Sequence, residues 1–281
     1  INMAYVSAGS NFRNQVISNI GSLSNTGFEA AIKWIAIDKK DWNWVLDYNF
    51  TYNYNKITAL ASSNDPNFNV PTGGISSGTG LQCQAQHVGT AANSFYVYQQ
   101  AYDKNGNPIE GVVVDRNGDG KITEADKYYH KSPVAPITMG FSSRFEYKNW
   151  DFGFTLRASI GNYVFNDLMA GSANLSPAAI YMNSAYMTNR PVANLKYNWQ
   201  TYDETSSLSD RWVQNGSFLK CDNITLGYSF NKLFNTGDWK GLSGRIYGTA
   251  SNVFTITKYS GIDPEVFGGI DNSVYPRPIS F

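Results

Sequence analysis

Charge of one sign is what this sequence most plainly lacks. Lys and Arg number 22 and Asp and Glu 22, so the 281-residue chain has a formal net charge of zero. That excludes the basic electrostatic footprint of a nucleic-acid-binding protein. Charge of either sign is scarce, at 16% against roughly 25% in soluble domains. Histidine is limited to His87 and His130, which leaves too few imidazoles for a histidine-rich metal centre. Cysteine is limited to Cys83 and Cys221, with no C-x-x-C spacing; pairing and two free thiols both fit that count. No stretch approaches ~18 consecutive apolar residues, which excludes a transmembrane helix but not the alternating strands of a membrane barrel. No G-x-S-x-G, P-loop, H-E-x-x-H or G-x-G-x-x-G is present, and Glu110, Asp203 and Glu204 read as solvated turn acids rather than a glycosidase pair. The chain is therefore not read as an enzyme. Beginning at Ile1 with no leader, it reads as a mature protein or a fragment.

What is abundant is aromatic residues and turn formers: 19 Tyr, 16 Phe, 7 Trp and 25 Gly, a strand-and-turn composition. The dominant pattern has period two. Trp42, Trp44, Leu46, Tyr48, Phe50, Tyr52 and Tyr54 alternate with Asn43, Val45, Asp47, Asn49, Thr51 and Asn53. A strand of that length spans about 40 Å at ~3.3 Å per residue, long for a soluble domain. Phe28, Ala30, Ile32, Trp34 and Ala36 share one face of a preceding strand, and Asp38–Asp41 makes the turn between them. A second hairpin covers 137–147 and 150–158, turning at Lys148-Asn149. A third joins 224–230 to a strand from about 242 to 255, and Ser94–Tyr102 is a further strand candidate. About 58–92, 103–135 and 161–216 are long and irregular, and loops of that length are usually functional. Short turns at one end and long loops at the other form the pattern of an outer-membrane barrel. There every strand edge must be paired, and strand-end aromatics such as Trp42, Tyr147 and Trp150 would form interfacial girdles. A soluble β-sandwich with aromatic cross-strand pairs is the competing reading.

One segment carries chemistry. Asp115-Arg116-Asn117-Gly118-Asp119-Gly120-Lys121-Ile122-Thr123-Glu124-Ala125-Asp126 matches an EF-hand calcium loop. Side-chain oxygens come from Asp115, Asn117 and Asp119, the sharp turn from Gly120, a carbonyl from Lys121, and a last ligand from Asp126. Such alternation brings hard oxygens together for Ca²⁺. Asp126 stands where Glu is usual and is one methylene shorter, so lower coordination is expected, with water or Thr123 filling in and Mg²⁺ or Na⁺ as alternative occupants. Ile122 is expected to anchor the loop against neighbouring structure. No long helices flank it, so the expectation is a fixed clip in a loop rather than a switch. The competing reading is a Gly/Asn/Asp turn cluster.

Several blocks resemble the SusC-type TonB-dependent transporters of the Bacteroidetes outer membrane. They are 21–29, Asp115–Asp126 followed by Pro133 and Pro136, 211–219 with 223–228, 252–265, and 275–278. Lys220-Cys221-Asp222 departs from the family's apolar-basic alternation. The resemblance implies an all-β fold: a transmembrane antiparallel β-barrel of ~22 strands with a plugged lumen. Residues 1–281 would supply seven or eight of those strands as part of the C-terminal barrel region, the plug, earlier strands and final strand lying outside them. It implies active import of oligosaccharides, with oligopeptides as the alternative. The implied partners are a SusD-type surface lipoprotein over the outer mouth, TonB acting through the plug, and outer-membrane lipid. Loop aromatics Tyr129, Tyr181, Tyr186, Trp199 and Tyr202 would either stack on sugar rings or pack the loops together. A passive porin-type barrel and a soluble calcium-containing carbohydrate-binding sandwich are the remaining readings.

Overall fold

The computed structural model describes residues 2–5, 15–18, 21–60, 65–78, 80–172, 192, 196, 199, 203–232, 237, 241–272 and 279–281. Strands β1 (Asn2–Tyr5) and β2 (Gln15–Ser18) pair antiparallel with each other. The hairpin of β3 (Gly21–Lys39) and β4 (Trp42–Leu60) follows, each strand 19 residues long. The insertion after β4 holds β5 (Asn69–Gly74), β6 (Gln82–His87), β7 (Ser94–Val97), β8 (Gln100–Tyr102), β9 (Pro108–Val113) and β10 (Tyr128–Tyr129). A second hairpin joins β11 (Ile137–Tyr147) to β12 (Trp150–Ile160). Then come β13 (Tyr163–Asn166), the short helices α1 (Asp167–Ser172) and α2 (Glu204–Ser207), and β14 (Val213–Asn215). Strands β15 (Phe218–Phe230) and β16 (Gly244–Thr257) form the third hairpin, and β17 (Ile270–Asp271) closes the order. No helix among the described residues is long and apolar enough to cross a membrane.

Six strands make one antiparallel sheet in the order β16-β15-β12-β11-β4-β3. Its register explains the alternation. Trp42, Tyr147, Trp150, Tyr228 and Ile246 lie across one row, and Trp44, Phe145, Phe152 and Leu226 across the next. Successive side chains of a strand point to opposite faces, so these residues share one face. The other face carries Asn43, Asp47, Glu146, Arg144, Asp151 and Thr155. The apolar face is not covered by the chain: Phe28 is 63% exposed, Trp34 61%, Trp150 51% and Ile256 62%. A soluble sandwich would bury that face under a second sheet, so the sandwich reading fails and the membrane-barrel wall stands.

The wall has six strands among the described residues, not the expected seven or eight. Ser94–Tyr102 is divided between β7 and β8, which pair in two small sheets away from the wall. The break falls at Tyr98, which bridges to Ser209 instead of continuing either ladder. The strands are also longer than their patterns. A bulge at Ala36 in β3 moves Ile37 and Lys39 onto the apolar face, so Ala36 is not the next member of the Phe28–Trp34 series. A second bulge, at Asp222, carries β15 through Lys220–Asp222.

The two tight turns (Lys39/Trp42 and Tyr147/Trp150) and the Phe230/Gly244 end of the third hairpin lie at one end of the sheet. Short turns mark the periplasmic side of an outer-membrane barrel, which places the long insertions outside the cell. The insertions build a folded layer there. Its core is Ile75, Cys83, Phe95, Val97, Tyr98, Val113, Phe165, Ala170, Leu208, Trp212 and Val213, gathered from both the β4–β11 and the β12–β15 connections.

Candidate functional site

The loop layer and the polar face below it hold the chemistry. The Asp115–Asp126 loop leaves the β8–β9 hairpin, where the Val114 N–H donates to the Gln99 carbonyl at 2.9 Å. It ends in a single 3-10 turn, Glu124–Asp126, capped by Thr123. Asp126 is fully buried. Its carboxylate accepts the backbone N–H groups of Thr123 (2.8 Å), Arg116 (2.9 Å) and Asn117 (3.3 Å). Those bonds hold its carboxyl below the ordinary range against the opposing effect of burial, and Asp115 lies within hydrogen-bonding reach of it. Asp115 accepts from the N–H groups of Gly118 (2.7 Å) and Gly120 (2.8 Å), and Asp119 accepts from that of Lys121 (2.8 Å). Asn117 accepts the N–H of Asp119 at 2.9 Å. Gly118 and Gly120 sit at φ 74° and 80°, where a side chain would be strained. Among the described residues, no three His, Cys, Asp or Glu side chains come together as a metal centre.

Two expectations for this loop change. Ile122 is 42% exposed rather than buried against neighbouring structure. The anchor is polar: the Arg116 guanidinium lies 4.4 Å from the Tyr128 ring centroid and donates to Gln99 Oε1 at 2.6 Å. The Tyr128 hydroxyl in turn donates to Asp210 at 2.7 Å. Thr123 is committed as a cap, accepting the Ala125 N–H at 3.3 Å.

The second constellation lies on the polar face of the wall, where the Asp222 bulge sets Arg157 opposite Lys220. Two cations side by side repel, and three carboxylates offset them. Arg157 Nε and Nη2 donate to Asp222 at 2.9 and 3.1 Å. Arg157 also forks onto Glu265, with Nη2 at 3.0 Å from Oε2 and Nη1 on Oε1. Lys220 Nζ reaches Asp263 at 2.7 Å and Glu265 at 2.9 Å. Partial burial pushes the Glu265 carboxyl up, but the hydrogen bonds from Arg157 and Lys220 outweigh it and hold it down at about 2. Forked Arg–carboxylate pairs fix geometry as well as charge, so the segment after β16 is pinned to the wall. The departure at Lys220-Cys221-Asp222 is thus one half of this cluster.

Of the loop aromatics, Tyr129 lies stacked between His87 and Tyr96, with centroids 4.6 and 4.9 Å away. Trp199 is 4% exposed, with Arg211 4.3 Å from its ring centroid. Both pack the loops rather than present a free face. Tyr181, Tyr186 and Tyr202 lie outside the described residues, as does 275–278. Cys83 and Cys221 are free and buried. Burial pushes the Cys83 thiol well up, which makes it inert.

A single antiparallel wall, apolar outward, banded by aromatics at its tight-turn end and roofed by folded loops, is a sector of an outer-membrane β-barrel. The comparisons with known proteins narrow this. The chain is 47% identical over 283 aligned positions to TonB-dependent receptor SusC of Bacteroides thetaiotaomicron, a match covering all of the chain and 28% of that protein. It is 30% identical to TonB-dependent receptor P3 of Formosa agariphila, covering 92% of the chain and 26% of the relative. No protein-family model matches. The RagAB peptide importer in its closed-closed state shares the fold at 24% identity and a TM-score of 0.69, covering 95% of the chain and 30% of that structure's. The chain belongs to the SusC-type TonB-dependent receptors, proteins of the bacterial outer membrane, and spans less than a third of the length of these relatives.

Proposed function

We propose that the chain forms one sector of the wall and outer loops of an importer that draws oligosaccharides across the outer membrane at the expense of TonB-transmitted energy. Residues 1–281 all belong to one barrel domain, whose plug and remaining strands lie elsewhere in the protein. A SusD-type lipoprotein covers the outer mouth, and the loop layer is the surface that meets it. The observation that carries this reading is the match of the whole chain to 28% of a SusC receptor, on a wall whose apolar face is turned outward. The polar face supports a hydroxyl-rich ligand. Among its charged residues it presents Asn49, Thr51, Thr138, Ser142 and Thr155, which donate and accept without adding charge. The test is uptake of a labelled oligosaccharide pool and a labelled oligopeptide pool by cells carrying the complete receptor, with and without TonB. TonB-dependent glycan uptake is the expected result. Peptide uptake would move the ligand to the other class, and uptake indifferent to TonB would leave a passive channel.

We also propose that Asp115, Asn117, Asp119, the Lys121 carbonyl and Asp126 take a Ca²⁺ ion, or Mg²⁺ in its place. Both Asp115 oxygens, Asp119 Oδ1 and Asp126 Oδ2 each accept one backbone N–H and retain a lone pair, whereas Asp126 Oδ1 already accepts two. Asp115 and Asp126, lying so close, gain from a shared cation. With Asp126 held inward by backbone, the ion's role is a clip that stiffens a turn already closed by its own hydrogen bonds. Adding a chelator to the complete receptor is expected to expose the Asp115–Asp126 segment to protease and lower its melting temperature. No change in either would leave the self-closed turn as the whole account.

A further inference from the structure

We propose that the periplasmic rim of this wall holds an anionic glycerophospholipid, with its phosphate at Lys39 and Lys148 and an acyl chain in the groove next to them. The groove has a volume of about 340 Å³ and is lined by Ile37, Trp44, Ser143, Phe145, Phe152 and Phe154. It lies on the apolar face, and all four of its strands are paired within the sheet. Ser143 creates the dent: its row neighbours are Leu46 and Phe154, and it is the small member of that row. The Trp44 indole N–H donates to the Ser143 hydroxyl at 3.0 Å, so the polar groups of the two side chains meet each other in the groove.

The charges at the rim are sorted by face. Lys39 is paired with Trp42 and so shares the apolar face, whereas Asp38, paired with Asn43, is turned to the polar face. Lys148 places its ammonium 5.2 Å from the Tyr147 ring centroid, and Tyr147 packs on Trp42 at 4.2 Å. Two lysines thus bracket an aromatic pair on the lipid side, with Lys40 and the single acid Asp41 in the adjoining turn. Glu146 and Asp151 lie on the polar face, where Arg144 and Arg245 pair with them. Among the described residues, Lys39, Lys40 and Lys148 form no ion pair. The first groove row, Ile37–Trp44–Phe145–Phe152, lies two residues deeper than the rim, about 7 Å at the rise of a strand. Cations at the interface and an apolar channel just below fit a headgroup and its chain, and the excess of lysine selects a net negative headgroup. A free phosphate would use the lysines but not the groove.

The test uses the complete receptor, extracted in mild detergent and loaded with phosphatidylglycerol or phosphatidylethanolamine. Native mass spectrometry then follows retention as collision energy rises. Wild type is expected to keep one phosphatidylglycerol at energies that strip phosphatidylethanolamine. The double variant K39Q/K148Q is expected to lose this preference by about 30-fold, from ~1 kcal/mol per lysine at an anionic headgroup. Ser143→Leu, which fills the groove, should weaken retention of both lipids, and K33Q on the polar face should change nothing. Heat-modifiable migration checks that each variant is a folded barrel; the lysine changes sit at an exposed turn and carry the test if Ser143→Leu does not fold. Equal release from wild type and K39Q/K148Q would overturn the proposal, as would displacement of phosphatidylglycerol by inorganic phosphate.

Discussion

Phe165 and Phe152 lie in strands of the same chain only 13 residues apart, yet Phe165 is fully buried and Phe152 is 38% exposed. The first belongs to the loop layer, the second to the wall. In the loop layer aromatics gather inward around Phe95, Trp212 and Leu208, as in a soluble domain. In the wall they point away from the chain, and lipid supplies the contacts a core would give. The wall is held instead by its strand-to-strand ladders, since every backbone group in a bilayer must be paired within the protein. Two solvents, water above and lipid around, thus select opposite arrangements from one aromatic-rich composition.

Substitutions can break this contrast at either end. The largest effect is expected from Phe165→Ala, which empties a closed core and costs about 3–5 kcal/mol. Phe152→Ala, which gives up mainly a ring contact with Phe154 at 6.0 Å, costs about 1 kcal/mol. Limited proteolysis of the outer loops, with barrel migration followed on the same samples, separates the two: Phe165→Ala should loosen the loops and leave the barrel. Next comes Leu156→Arg, which puts charge on the apolar face near the middle of β12 and costs about 2–4 kcal/mol. Thr155→Arg, one residue away on the polar face, should be nearly neutral. Folding yields into vesicles check this, and equal yields would deny that the two faces differ. The smallest effect is acid sensitivity. Asp126 and Glu265 have folded pKa values below their ordinary ones, so each adds stability that is complete above the ordinary value and lost as pH falls through the folded one. For Glu265 the window runs from 4.5 down to about 2. Loop protection from an acid-tolerant protease should be level from pH 7 to about 5 and then decline as the two carboxylates take up protons.

The wall was legible because its signal is local. Alternation from Trp42 to Tyr54 assigns strand and face together, and Lys148-Asn149 marks the turn. Ser94–Tyr102 lacks that alternation: Phe95, Tyr96, Val97 and Tyr98 run together, and Phe95, Val97 and Tyr98 are buried by distant segments such as Leu208 and Trp212. Lys220 looked out of place because its partners Asp263 and Glu265 lie 43 and 45 residues further on. The bulge that presents it arises from pairing and has no residue signature. In the Asp115–Asp126 loop the oxygens were predictable, but their use by the loop's own backbone was not, because an Asx turn and a cation site draw on the same residue types.

The β3–β4 hairpin does not stop where the rest of the wall does. Pairing with β11 ends at Tyr52, while β4 continues to Leu60 against β3 alone. The insertion is fastened to that projecting ribbon, through Asn53 to Pro136 at 2.9 Å and through Ile57 to Thr90 and Gly89 at 2.8 and 2.9 Å. A pull on the roof therefore reaches the wall along the strand direction. Its load is shared in shear across many parallel hydrogen bonds instead of being peeled from them one at a time, so the projecting ribbon works as a mast that keeps the roof at a fixed height.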